Sequence, residues 1–139
     1  MSDRPSFRPT RRIVFHGLGA IGVAAALAGC GGGSSEPAAP EAAAGDELAA
    51  TSEVPVGGGL ILSDQKIVIT QPTEGDFKAF TAVCTHQGNT VTAVEGATIE
   101  CSFHGSSFSA ETGEVEGGPA GSALAAVAID VQGDRILAA

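Results

Sequence analysis

Two short motifs, Cys84-Thr85-His86 and Cys101-Ser102-Phe103-His104, with fourteen residues between them, constrain this chain more than any other feature of it. Thiolate and imidazole are the soft and borderline ligands that iron–sulfur centres, zinc and copper favour. Each motif contributes one sulfur and one nitrogen, so a fold that uses all four groups must bring two loops side by side on a rigid frame. Three chemistries are open on the residues alone. A disulfide between Cys84 and Cys101 in an oxidising compartment would stabilise the fold by about 3 kcal/mol, and would leave both histidines without a role. A structural zinc site would use all four groups, at a spacing unlike that of the common zinc fingers. An iron–sulfur centre would also use all four groups.

The rest of the chain supplies a frame of strands. From Val54 onward short apolar runs alternate with turn residues, and no apolar stripe recurs every 3.6 residues. Residues 59–62 and 66–70 flank Ser63-Asp64-Gln65 and predict a hairpin. Further strands are expected over 77–83, 90–94, 97–100, 125–131 and 135–137, with turns at Glu95-Gly96, Thr112-Gly113 and Gln132-Gly133-Asp134. The one stretch of helical composition, 120–126, is short and interrupted by Gly121. The expectation is an all-β domain over 54–139, with both motifs where a strand gives way to a loop. A core that small gains from a staple such as a metal, a cluster or a disulfide.

The first 53 residues read differently. Residues 1–12 contain four arginines, and 13–28 form an apolar run of sixteen residues, short of the roughly 20 that span a bilayer as a helix. This is the pattern of an export signal over 1–29. Thr10-Arg11-Arg12-Ile13-Val14-Phe15 resembles a twin-arginine signal, with a general secretory signal as the alternative. Leu27-Ala28-Gly29-Cys30 looks like a bacterial lipobox, which predicts lipidation of Cys30 and anchoring outside the cytoplasm at the cell membrane. Assigning Cys30 to lipid leaves Cys84 and Cys101 as a pair. Residues 30–53 would then hold the lipidated cysteine and a tether rich in Gly, Ser, Ala, Pro and Glu, too poor in large apolar side chains to fold. Its 23 residues after Cys30 would have a root-mean-square reach of about 25 Å.

Charge narrows the partners. With the leader removed, Lys66, Lys78 and Arg135 face fifteen acidic residues from Glu36 onward, a balance of −12. Nucleic-acid binding is driven by basic groups that displace counterions from phosphates, so this chain is not built for it. A partner with a basic docking face suits it better.

The two motifs with their following glycines, Gly88 and Gly105, resemble the cluster-binding loops of Rieske iron–sulfur proteins. The likeness runs from about Phe80 to Ala120. It implies an antiparallel β-sandwich with two cluster-binding loops and a [2Fe–2S] cluster as cofactor. Carried over by position, Cys84 and Cys101 would bind one iron, and His86 and His104 the outer, solvent-facing iron. The glycines would let the loop backbone come close to the sulfides. Replacing two thiolates by neutral imidazoles raises the cluster's potential to about −150 to +300 mV.

Around those ligands the chain both keeps and departs from the family pattern. His104-Gly105-Ser106-Ser107-Phe108 resembles a family segment in which serine and tyrosine hydroxyls hydrogen-bond to cluster sulfurs. Ser106 retains the first hydroxyl, and Phe108 lacks the second. Such bonds stabilise the reduced state, so the resemblance implies a midpoint below that of respiratory-complex members. The two additional cysteines that high-potential members join as a disulfide between the loops are missing. Gly117-Gly118-Pro119-Ala120 resembles the proline loop that covers the cluster's other side, which places Pro119 beside the centre.

The resemblance therefore implies one-electron transfer by a membrane-tethered protein outside the cytoplasm, with no catalysis by this chain alone. Its partner would be a cytochrome, a copper protein or an oxidoreductase. A Rieske subunit of a bc-type respiratory complex or another oxidoreductase is the nearest alternative. A zinc-bound or disulfide-stapled lipoprotein is the alternative of another class.

Overall fold

A computed structural model describes residues 39–139; the export signal and Cys30 lie outside them. Ten strands follow in chain order: β1 (Glu47–Ala50), β2 (Gly58–Leu62), β3 (Ile67–Thr73), β4 (Asp76–Thr81), β5 (Ala93–Glu95), β6 (Thr98–Cys101), β7 (Ser106–Ser109), β8 (Val115–Gly117), β9 (Ile129–Gln132) and β10 (Arg135–Ala138). They form a seven-stranded sheet in the order β4-β3-β2-β5-β6-β7-β8 and a three-stranded sheet in the order β1-β10-β9. Every strand pairing is antiparallel. Among the described residues no helix is long and apolar enough to cross a membrane.

The layering follows from the run Ile67-Val68-Ile69, in which successive side chains point to opposite faces of β3. Ile67 and Ile69, with Ala79 of β4, join a core completed by Leu48, Val54, Ile136 and Ala138. Val68 and Phe80 point the other way, into a second core with Ile99, Phe108, Ala110, Leu124 and the two cysteines. The β3–β4 ladder is thus buried on both faces, which is why its sequence reads as continuously apolar. The long sheet turns back on itself where β2 meets β5 through the single pair Gly58↔Glu95. Gly59 makes that corner possible, since a Cβ there would lie 2.5 Å from the Ile69 carbonyl oxygen and 2.9 Å from Val94 Cγ2.

The predicted hairpin is present as β2–β3, paired from Gly58↔Gln71 to Leu62↔Ile67, and the antiparallel sandwich is as expected. The boundary at residue 54 is corrected. Glu47–Ala50 form β1 in register with β10, and Leu48 and Ala49 are buried. Lys66 pairs with Glu41, and the Glu41 amide donates to the Gln65 carbonyl. The folded part therefore begins ahead of residue 47, inside the stretch 30–53 that composition assigned to a tether. Alanine-rich Glu-Leu-Ala-Ala has little strand propensity of its own, so pairing with the distant β10 decides its conformation.

Besides β1, two further strands were not expected, β7 and β8, and one is displaced. Residues 125–128 run alongside β4, where Thr81 N donates to Ala125 O and Val127 N to Ala79 O. They cross between layers before β9 begins at Ile129.

Candidate metal centre

Both motifs form the same kind of turn. In the first, Gly88 N donates to Cys84 O at 2.9 Å, and in the second Gly105 N donates to Cys101 O at 3.0 Å. Each turn closes with φ +79 at its glycine, the left-handed region that side chains disfavour. Protein atoms leave open space where a Cβ would sit at either glycine, so within the chain it is the turn, and not crowding, that calls for glycine. The first turn is bracketed by the bridge Val83↔Thr90 and by Cys84 N donating to Asn89 O at 2.7 Å. The second caps the β6–β7 hairpin, whose last pair is Cys101↔Ser106.

The four side chains form two pairs, cysteine with cysteine and histidine with histidine. Cys84 and Cys101 are each 1% exposed and belong to the second core. Both are free thiols, so the disulfide alternative is not formed. Burial pushes the Cys101 thiol up, a hydrogen bond with Cys84 pushes it further, and the backbone N–H groups of Phe103 and His104 pull it the other way. Those N–H groups aimed at sulfur would favour a thiolate once a cation shares the site. The rings of His86 and His104 meet edge to face, with centroids 4.7 Å apart and planes at 78°. His104 is exposed and His86 half-buried.

A telling atom is His86 Nδ1, which is buried and has no hydrogen-bond partner among protein atoms. Buried polar atoms nearly always have one, and a buried ring nitrogen left bare two residues from the buried Cys84 fits a ligand donor. A single zinc ion would need its ligands to converge on one point. Among the described residues no three His, Cys, Asp or Glu side chains do so. A two-iron centre asks only for pairs, a thiol pair on the core side and an imidazole pair on the solvent side, and that is how the four groups are arranged.

The surrounding residues fall into place around them. Ser106 is 2% exposed, and its Oγ accepts the Ala120 N–H at 3.2 Å, which leaves its own hydrogen free to donate elsewhere. Phe108, two residues along the same face of β7, is fully buried against the cysteines. The 117–120 segment does cross the second loop. Gly118 has φ +83 and packs so closely that a Cβ would fall 2.4 Å from Gly105 O and from Ser106 Cα. Pro119 is exposed and its neighbour Ala120 buried, so Ala120 is the residue of this segment that touches the core.

Three features escaped the sequence reading. Thr85 Oγ1 donates to Ser122 O at 2.6 Å. Thr92 Oγ1 donates to Glu100 O at 3.1 Å and accepts the Ser102 N–H at 3.0 Å. Phe103, between the second cysteine and its histidine, is 60% exposed. A fourth was open to sequence inspection: residues 79–94, 101–110 and 117–129, which build this end of the molecule, contain no Asp, Glu, Lys or Arg.

An all-β frame that presents two like turns, each offering one thiol and one imidazole, defines a class: two-iron cluster proteins with mixed sulfur and nitrogen ligation. The comparisons with known proteins carry this further. Residues 46–128 match the family model of the Rieske [2Fe-2S] domain. This chain belongs to that family, whose domain binds a [2Fe–2S] cluster and transfers electrons. A ferredoxin of Sphingomonas yanoikuyae B1 is similar in fold at 21% identity, with 68% of this chain and 96% of that one covered and a TM-score of 0.58. The ferredoxin of carbazole 1,9a-dioxygenase from Nocardioides aromaticivorans IC177 is also 21% identical, with 70% and 98% covered and a TM-score of 0.59. A chain of a hyperthermophilic respiratory Complex III shares 21% identity over 68% and 75%, with a TM-score of 0.55. No curated protein matches the chain.

Proposed function

We propose that Cys84 and Cys101 bind one iron of the [2Fe–2S] cluster and His86 and His104 the other. In this reading the chain is an auxiliary one-electron carrier, exported and anchored outside the cytoplasm through lipidated Cys30. The observation that carries the ligand assignment is the pairing of two buried thiols with the bare, buried Nδ1 of His86.

When bound, the cluster supplies a one-electron couple within about −150 to +300 mV. The chain's own residues do the rest. The buried cysteines would hold one iron, and the amides of Phe103 and His104 would offset charge on the Cys101 sulfur. The exposed ring of His104 would present the bound cluster's edge to a redox partner. Ser106, with its lone pair given to Ala120, has a hydrogen to offer a sulfide. Phe108 offers none, which favours a potential in the lower part of the family's range.

The partner is a redox protein, either a cytochrome, a copper protein or an oxidoreductase, with basic side chains around its docking site. The charge distribution supports this. All three cations of the described residues are paired with carboxylates, which leaves the acids in excess over the body of the domain, while the cluster end is uncharged and carries exposed Phe103. Acidic surroundings steer a basic partner, and the apolar tip makes the close contact. The missing loop cysteines favour this carrier over a bc-type respiratory subunit.

Two measurements test the proposal. His86→Cys and His104→Cys variants should each shift the optical spectrum towards all-thiolate ligation and lower the midpoint potential; an unchanged spectrum in either would remove that histidine from the centre. Cys30→Ala should move the protein from the membrane to the soluble extracytoplasmic fraction. A wild-type protein found in the cytoplasm would end the export and anchoring part.

A further inference from the structure

The two thiols assigned to iron also face each other. Cys84 and Cys101 lie in one core, each 1% exposed, and a hydrogen bond joins their side chains. The residues just before them are fixed: Ala82 O accepts the Val91 N–H at 2.8 Å, and Thr92 N–H donates to Glu100 O at 2.7 Å. Consecutive residues, Val91 and Thr92, thus hold the chain that leads into both cysteines. Beyond them the backbone can yield, because each cysteine opens a turn that runs out to solvent and closes on a glycine at φ +79.

A thiol pair held in this way has a second chemistry. Among the described residues no third cysteine competes for either sulfur, so oxidation of one leaves the other as its nearest attacking group. A disulfide needs its sulfurs about 2.05 Å apart, and rotation of two side chains at the mouths of glycine-closed turns covers the step from hydrogen bond to covalent bond.

We propose that, before a cluster is inserted or after it is lost, Cys84 and Cys101 act as a reversible redox lock. An oxidant of the peroxide class joins them as a disulfide, which closes the site to metal and keeps both sulfurs from irreversible oxidation, and a dithiol reopens it. The proposal rests on the ligand assignment above and deepens it with a form of regulation. In the first step one thiol attacks peroxide, the O–O bond breaks, and a sulfenic acid and a water are formed. In the second the other thiol attacks the oxidised sulfur, the S–O bond breaks, the S–S bond forms and a second water leaves. Two electrons pass from the sulfur pair to peroxide, and both its oxygens end as water. Because the second thiol is already in contact, the sulfenic acid is consumed before more peroxide can carry it to sulfinic acid. On reopening, the dithiol passes two electrons and two hydrogens to the bridge and leaves as its own disulfide. Burial selects the oxidant: sulfurs this enclosed exclude bulky disulfide reagents and admit a molecule little larger than water.

The test uses the full-length apoprotein with Cys30→Ala, which removes the one other cysteine of the chain. A small excess of hydrogen peroxide should lower its mass by two hydrogens and abolish maleimide labelling of both cysteines. The product should stay monomeric with unchanged far-ultraviolet circular dichroism. Offered a [2Fe–2S] cluster on a scaffold protein without added thiol, it should remain colourless; after dithiothreitol treatment and desalting it should take up the cluster. In Cys84→Ser, treated alike, Cys101 has no partner and should gain two oxygens as sulfinic acid. The proposal is overturned if wild-type Cys84 or Cys101 gains oxygen in place of pairing, if pairing is between molecules, or if the bridged protein takes up cluster as readily as the reduced one. An apoprotein unfolded before oxidation would overturn it too, since the pairing is a property of the fold. A reduced protein that pairs its thiols as described yet never accepts a cluster would instead sink the ligand assignment on which the lock depends.

Discussion

The two faces of the β3–β4 ladder carry two cores of opposite character. The face bearing Ile67, Ile69 and Ala79 is closed by the first and last strands of the domain, through Leu48, Ile136 and Ala138. Its buried residues are all aliphatic, and it contains nothing that reacts. The face bearing Val68 and Phe80 runs through Ile99 and Phe108 to two cysteines and ends in the uncharged loops. One core therefore serves to hold the frame, and the other grades from frame into metal centre. Because the two share a ladder but not a side chain, stability and cluster chemistry should respond separately to substitution.

The sharpest break in that comparison is Cys84→Ser. It should abolish the visible chromophore altogether, while the far-ultraviolet circular dichroism of the β domain persists; a coloured Cys84→Ser protein would show that Cys84 is no ligand. The converse substitution is Ile136→Ala in the aliphatic core. It deletes a fully buried side chain and should destabilise the fold by about 3 kcal/mol. The absorbance and midpoint potential of the protein that remains folded should be unaltered. A shift in the potential would mean that the two cores are coupled after all.

Smaller effects sharpen the boundary. Gly118→Ala forces a Cβ into the backbone of Gly105 and Ser106 at a positive φ. It should destabilise the domain by about 2 kcal/mol, measured by chemical denaturation, and should release the 117–124 segment from the second loop. Phe108→Tyr is the finest probe. If the new hydroxyl reaches a cluster sulfur, the midpoint should rise by about 40 mV, one net hydrogen bond of ~1 kcal/mol expressed for one electron. An unchanged potential with lower stability would show a buried hydroxyl without a partner, and would detach Phe108 from the tuning of the centre.

The same division explains what could be read from the sequence. The proposed ligands were legible because cysteine and histidine at this spacing have few other uses, and the β2–β3 hairpin because Ile67-Val68-Ile69 is an apolar run that only a strand buried on both faces explains. The chain β1 joins could not be seen in Glu-Leu-Ala-Ala, since its partner strand β10 is some ninety residues away. Ser-Ser-Phe-Ser in β7 looks like loop, yet it pairs along its whole length with β6, and Phe108 supplies the burial. Thr85 was hidden for a different reason. Its partner is a backbone carbonyl 37 residues further on, and a carbonyl leaves no signature in residue identity. Ser106, by contrast, was found by its resemblance to a family segment, and the bond that orients its hydroxyl came only with the fold.

The central claim is the mixed ligation, two sulfurs on one iron and two nitrogens on the other, and nitrogen nuclei report on it directly. Pulsed electron paramagnetic resonance of the reduced full-length protein should detect two strongly coupled imidazole nitrogens, with one lost in His86→Cys and the other in His104→Cys. A reduced protein that gives no signal, or a [2Fe–2S] signal without coupled nitrogen, would contradict it.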